Sequence, residues 1–88
     1  MLSMLVRQVP AFRLRRLLKQ AESAGLRVTL LDLEAHYLAG GNPDRVIQAM
    51  FAARRRGLPD NWRLLVEADL GGKDLLELVE RDYRLDDA

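Results

Sequence analysis

The order of the glycine residues is the feature that most restricts how this chain can fold. Gly25-Leu26 is followed by Gly40-Gly41, and the same order returns as Gly57-Leu58 and then Gly71-Gly72. The first marker recurs after 32 residues and the second after 31. Such a period is typical of helical-hairpin repeats, in which one unit cannot cover its own apolar face and needs a stacked neighbour. Two and a half units fit 88 residues, and an irregular helical bundle is the alternative.

The segments between these glycines have the apolar spacing of helices. Between residues 11 and 24, leucine and alanine recur every three or four positions, and basic side chains take the other side. Pro10 suits the first turn of that helix, and Gly25 suits its end. Asn42 and Pro43 are preferred at the start of a helix, so another helix begins there.

We therefore predict an all-α fold of about five short helices arranged as stacked helical hairpins, because no two-residue alternation typical of strands competes. The predicted helices cover residues 11–24, 30–39, 43–56, 60–70 and 73 to about 82. We expect one domain over residues 1–88, with an N-terminal segment at 1–9 and a frayed acidic tail at 83–88.

The net charge of +1 conceals two oppositely charged halves. Residues 1–56 carry ten Lys or Arg and four Asp or Glu, which gives +6, whereas residues 57–88 carry four and nine, which gives −5. The halves either neutralise each other within one fold or pair head to tail with a second copy. The chain has no cysteine, so disulfides and thiolate metal sites are excluded. No apolar run approaches the roughly 20 residues of a membrane span. We expect a cytoplasmic protein, with the inner face of the membrane as the alternative location.

One ten-residue segment resembles a known family. LEAHYLAGGN, from Leu33 to Asn42, continues as Asp44-Arg45-Val46 and resembles the signature of bacterial flotillin-like proteins of the sigma-W regulon type. The likeness covers about residues 15–79. The signature residues are Leu33, Glu34, His36, Tyr37, Leu38, Gly40, Gly41, Asn42, Asp44 and Arg45.

This resemblance implies a scaffold protein of membrane microdomains that oligomerises and is linked to envelope stress and to resistance against antimicrobial compounds. It supplies no catalytic residues. Members of the family are several times longer, with a membrane-inserted segment, a prohibitin-like domain and a coiled-coil region. The present chain resembles the helical segment alone.

His36 is the only histidine, and Asp32 precedes it by one helical turn. A metal site would need a third ligand, which the sequence does not supply. We expect His36 to make a partly buried polar contact to the backbone around Gly40-Gly41, and we expect no metal, no cofactor and no catalytic residue. Trp62, the only tryptophan, is expected in the core, with an exposed anchor for a partner as the alternative.

The function predicted from these observations is a non-catalytic protein-interaction and self-association module that forms homo-oligomers or binds another helical protein. The candidate interaction surface consists of Arg13, Arg16, Lys19, Arg54, Arg55, Arg56 and Trp62. We expect the leucines of the first helix to be part of the core. The alternative is peripheral contact of this helix with an anionic membrane, with Phe12, Leu14, Leu17 and Leu18 toward the lipid. The alternative function is a small helix-turn-helix-like domain that binds nucleic acid through the basic half.

Overall fold

The computed structural model describes residues 10–81, and these residues form five helices and no strand. The helices are α1 (Ala11–Ser23), α2 (Leu30–Leu38), α3 (Pro43–Arg55), α4 (Trp62–Leu70) and α5 (Leu75–Glu80). The predicted all-α class is confirmed. The predicted segments 1–9 and 83–88, and the predicted end of the last helix at residue 82, lie outside the described residues.

The helix boundaries repeat with the period of the first glycine marker. Both ends of α3 lie one period after the ends of α1, both ends of α4 lie one period after the ends of α2, and α5 begins one period after α3. The two and a half predicted units are therefore present as α1–α2, α3–α4 and α5. The Gly-Gly pairs recur after 31 residues, and this spacing does not give the true length of the repeat. The glycines with positive φ in the two pairs are Gly40 and Gly72, which are a full period apart.

Four of these helices end in the same way, at a glycine in the left-handed region. At the end of α1, Gly25 has φ 82°, and its N–H donates to the carbonyl of Glu22 at 3.0 Å. The N–H of Leu26 donates to the carbonyl of Ala21 at 2.9 Å, which completes a Schellman motif. The same two bonds close α2, α3 and α4 at Gly40, Gly57 and Gly72. A side chain at such a position would be strained, so glycine sets where each helix stops.

Polar side chains at the helix starts define the other boundaries. Asn42 accepts a hydrogen bond from the N–H of Arg45, and Thr29 and Asp32 form a reciprocal capping box. α4 begins at Trp62 rather than at residue 60 because Asn61 is its N-cap, with its side chain accepting from Leu64 N–H. α5 begins at Leu75 rather than at residue 73 because Asp74 caps it in the same way.

α3 lies at the centre and contacts the other four helices. Its buried side chains are Pro43, Val46, Ile47, Ala49, Met50 and Ala53. α1 packs on α2 and α3, and α5 packs on α3 and α4, so consecutive hairpins share one apolar core. Removing these side chains from water supplies the main favourable term in folding, at about 1.5 to 3 kcal/mol for a fully buried large side chain. None of the helices in residues 10–81 has the length and apolar character needed to cross a bilayer.

Candidate functional site

A buried carboxylate joins the first repeat unit to the second. Asp69 lies near the end of α4, and its side chain has no exposed area. Its Oδ1 atom accepts from Nε of Arg45 and lies 2.7 Å from Nη2 of the same residue. Its Oδ2 atom accepts from Nε2 of His36 at 2.6 Å and from the backbone N–H of Asn42 at 2.8 Å. One side chain thus binds α2, the α2–α3 turn and α3.

The surroundings of Asp69 favour its charged form. Burial alone would raise the pKa of this carboxyl, because it removes the charge from water. The hydrogen bonds from Asn42 N–H, Arg45 and His36, together with the charge of Arg45, outweigh burial and hold the pKa of Asp69 below its usual value. The carboxylate is therefore ionised at neutral pH and acts only as an acceptor.

The His36 ring is fixed on three sides. Since Asp69 only accepts, Nε2 of His36 carries the hydrogen and donates it. The edge of the ring meets Trp62, with ring centroids 5.8 Å apart and planes at 74°. The third neighbour is Gly41, where a Cβ atom would overlap the His36 ring. Nδ1 of His36 is buried and has no hydrogen-bond partner in the structure of residues 10–81.

The prediction that His36 binds the backbone around Gly40-Gly41 was wrong. Its side chain binds Asp69, 33 residues away, rather than the backbone around the glycine pair, although the ring does lie against Gly41. Asp32 is not a partner either, because its carboxylate accepts from the N–H of Thr29. In the described part of the chain, no group of three or more His, Cys, Asp or Glu side chains is arranged to hold a metal ion.

Three partners of Asp69 belong to the signature segment, and Asp69 was missed from the sequence. His36, Asn42 and Arg45 all lie in that segment, so its role in this fold is to surround a distant carboxylate. The position of Asp69 within the repeat could have identified it as a partner of His36. Ala68 is the counterpart of His36 one unit later, so the residue after it lies beside His36 when adjacent hairpins stack.

The basic run at the end of α3 does not form one surface. Nη1 of Arg54 donates to the carbonyl of Ala24 at the end of α1, and Nε of Arg54 lies 3.4 Å from Oδ2 of Asp60. Arg56 Nη1 donates to the carbonyl of Val79 near the end of α5 at 2.6 Å. These two cations are therefore bound to carbonyls near helix ends, where basic side chains are favourable. The structure therefore adds no support for the nucleic-acid alternative, which required these arginines to face phosphates.

The remaining candidate surface residues donate none of the hydrogen bonds that Asp69 accepts in the described residues. Arg13, Arg16 and Lys19 are exposed on α1, and Arg55 is exposed on α3. Trp62 is half-buried, packs against the core and lines a hollow of about 320 Å³ beside Arg54. A larger groove of about 630 Å³ runs between α1 and the start of α3. Among its lining residues are Arg13, Arg16, Gln20, Tyr37 and Arg45.

Comparisons with known proteins agree on one family. The sequence model of the flotillin-like protein FloA matches residues 1–83. A flotillin-like protein FloA from Dictyoglomus turgidum is 46% identical over 81 residues, which are 91% of this chain and 25% of that protein. One from Staphylococcus aureus is 40% identical over 80 residues, with 91% and 24% covered. The chain thus spans about a quarter of the length of these curated relatives. No solved structure matches it.

Proposed function

The chain belongs to the family of flotillin-like proteins FloA, and on that premise we propose that it is a non-catalytic helical module through which copies of a scaffold protein associate. The proposal covers the oligomeric state and the partner, which is a second copy of the same chain. The wider role in membrane microdomains that the resemblance implies belongs to the same proposal.

The observation that best supports self-association is that exposed apolar side chains recur with the repeat. Phe12, which is 82% exposed, and the half-exposed Leu76 occupy the same position in the first and third units, with Asp44 at that position in the second. Leu38 and Leu70, both half-exposed, end α2 and α4 one step apart. Single exposed leucines are ordinary on a protein surface. Repetition along a stack instead offers apolar contacts at regular intervals to a partner built in the same way.

A non-catalytic role is supported by the way Asp69 is used. Both of its oxygens already accept hydrogen bonds, from Arg45, His36 and Asn42, and the side chain is closed off from solvent. A general base needs a free acceptor within reach of a substrate proton. Asp69 therefore serves to join helices.

Peripheral contact with an anionic membrane is the second part of the proposal, at the inner face of the membrane. Leu14 and Leu17 are buried in the core, so they do not face lipid in this fold. Phe12, Arg15 and Lys19 are exposed and lie at helical spacing on one face of α1. An aromatic side chain beside cations suits the headgroup region. Sedimentation with phosphatidylserine vesicles tests this part, and F12A/K19A should reduce the bound fraction.

Co-purification of two differently tagged copies tests self-association. Both forms are expressed together, and one tag is used for capture at moderate salt. The proposal expects the second form in the eluate in a constant ratio. As a control, the two forms are purified separately in concentrated urea and mixed while still unfolded. The second form should then be absent from the eluate. Absence of the second form after co-expression would contradict the proposal.

A further inference from the structure

The buried ion pair of the second repeat unit is not repeated in the first. In the second unit, Arg45 of α3 is paired with Asp69 of α4. One repeat step earlier, the counterparts are Arg13 of α1 and Tyr37 of α2. The first unit thus keeps the cation and replaces the carboxylate by a phenol. Among residues 10–81, Arg13 has no ion pair with an acidic side chain.

This difference coincides with the groove between α1 and the start of α3. The groove of about 630 Å³ is lined by Arg13 and Arg16 of α1, by Arg45 of α3 and by Tyr37. Asp44 is its single acidic lining residue. Arg45 is already neutralised by Asp69, so the uncompensated charge comes from α1. A carboxylate that entered the groove beside Tyr37 would pair with Arg13 as Asp69 pairs with Arg45.

We infer that this groove binds the exposed carboxylates of α5, Glu77 and Glu80, from a second copy, so that copies join head to tail. The inference rests on the proposed self-association and specifies its two surfaces. Such an interface is heterologous, because the two copies contribute different patches. The pair then keeps one free groove on one copy and one free α5 on the other, so further copies can add at both ends.

The charge distribution favours a second copy as the occupant. The half of the chain that contains the groove carries +6, and the half that contains α5 carries −5. Glu77 and Glu80 are exposed, and the ion pair of Glu77 within residues 10–81 is an exposed one with Arg81, at 3.2 Å. Exposed pairs of this kind contribute little, so exchanging Arg81 for the groove arginines meets little resistance. Complementary patches also raise the rate of encounter and fix the orientation of the two copies.

Two charge-reversal variants test the inference by sedimentation velocity. R13E/R16E alters only the groove, and E77K/E80K alters only α5. We expect each variant alone to weaken self-association at least about tenfold relative to wild type. An equimolar mixture should restore association to at least twice the 10.0 kDa chain mass, because the intact α5 of R13E/R16E can enter the intact groove of E77K/E80K.

Matched controls separate this effect from net charge and from folding. R15E/K19E changes the same helix outside the groove, and E22K/E67K makes the same charge change as E77K/E80K away from α5. Both controls should associate as wild type does. Far-UV circular dichroism confirms that each variant is helical. If E77K/E80K loses helicity, E77Q/E80Q replaces it and should weaken association in the same direction.

The outcomes distinguish this inference from the proposed function. A wild-type chain that stays monomeric overturns both. Wild-type association that persists unchanged in R13E/R16E, or a mixture of the two variants that stays monomeric, overturns only the head-to-tail assignment. If R13E/R16E associates normally but loses binding to phosphatidylserine vesicles, the groove binds lipid phosphate and the inference is wrong.

Discussion

The Oδ2 atom of Asp69 lies 2.6 Å from Nε2 of His36, and both side chains are buried. The two residues come from α4 and α2, the second helices of adjacent hairpins. This hydrogen bond, with those from Arg45 and Asn42 to the same carboxylate, fixes one hairpin on the next. A hydrophobic stack alone is non-directional, whereas several donors to one carboxylate determine which residues meet.

Asp69→Asn tests the energetic weight of this carboxylate. The amide keeps the shape of the side chain but removes the charge and turns one acceptor into a donor that faces other donors. Breaking a buried charge network by changing one partner costs about 3 to 5 kcal/mol. We expect the free energy of unfolding in urea to fall by about 3 kcal/mol. Asp60→Asn, which changes a partly exposed pair with Arg54, is the control and should lose less than about 1 kcal/mol. Similar losses for both would contradict the account.

The pH dependence of stability follows from the lowered pKa of Asp69. Because the pKa is lower in the folded chain than in the unfolded one, the carboxylate stabilises the fold above its unfolded pKa of about 3.9. That contribution is lost as the pH falls through this value toward the folded pKa. Urea unfolding at pH 7, 5, 4 and 3 should show wild type and Asp69→Asn converging only in the acid range. A difference that stays constant down to pH 3 would show that Asp69 is not the responsible group.

Gly41→Ala tests the close approach of the His36 ring. The added methyl group would overlap the ring, and overpacking of this kind costs about 1 to 3 kcal/mol. In a His36→Ala background the space is free, so the same substitution should cost less, and a double-mutant cycle should show coupling. Gly40→Ala is the control, since its Cβ would meet nothing and its cost comes from φ 101° alone. Coupling of equal size at both positions would contradict the proposed packing.

Arg54 and Arg55 are adjacent and make different contacts. Arg54→Ala removes the bond to the Ala24 carbonyl and the pair with Asp60, at a cost of about 1 kcal/mol. For a domain of this size the melting temperature should fall by about 4 to 8 °C. Arg55→Ala removes the same charge at an exposed position, so it should shift the melting temperature by less than about 2 °C. The comparison uses thermal unfolding followed by circular dichroism, and equal shifts would count against the capping role of Arg54.

Local features of the fold could be predicted because their causes lie within a few residues. Asn42 and Pro43 start α3, and Gly25 ends α1, through bonds to neighbours three to five positions away. The helix starts at Trp62 and Leu75 were misplaced by two residues because Asn61 and Asp74 competed with equally polar neighbours for the N-cap.

The partner of His36 could not be predicted from local spacing. Asp32 lies one turn away on the same helix, and only the packing of both hairpins around α3 brings Asp69 to His36. The arginines were assigned to a surface for the same reason. Whether Arg54 and Arg56 face solvent or bind helix carbonyls depends on where α1 and α5 end relative to α3.

Light scattering coupled to size exclusion, over a hundredfold dilution series of the wild-type chain, tests self-association most directly. The account predicts a mass that is a multiple of 10.0 kDa at high concentration and falls toward 10.0 kDa on dilution. A mass of 10.0 kDa at every concentration would contradict it.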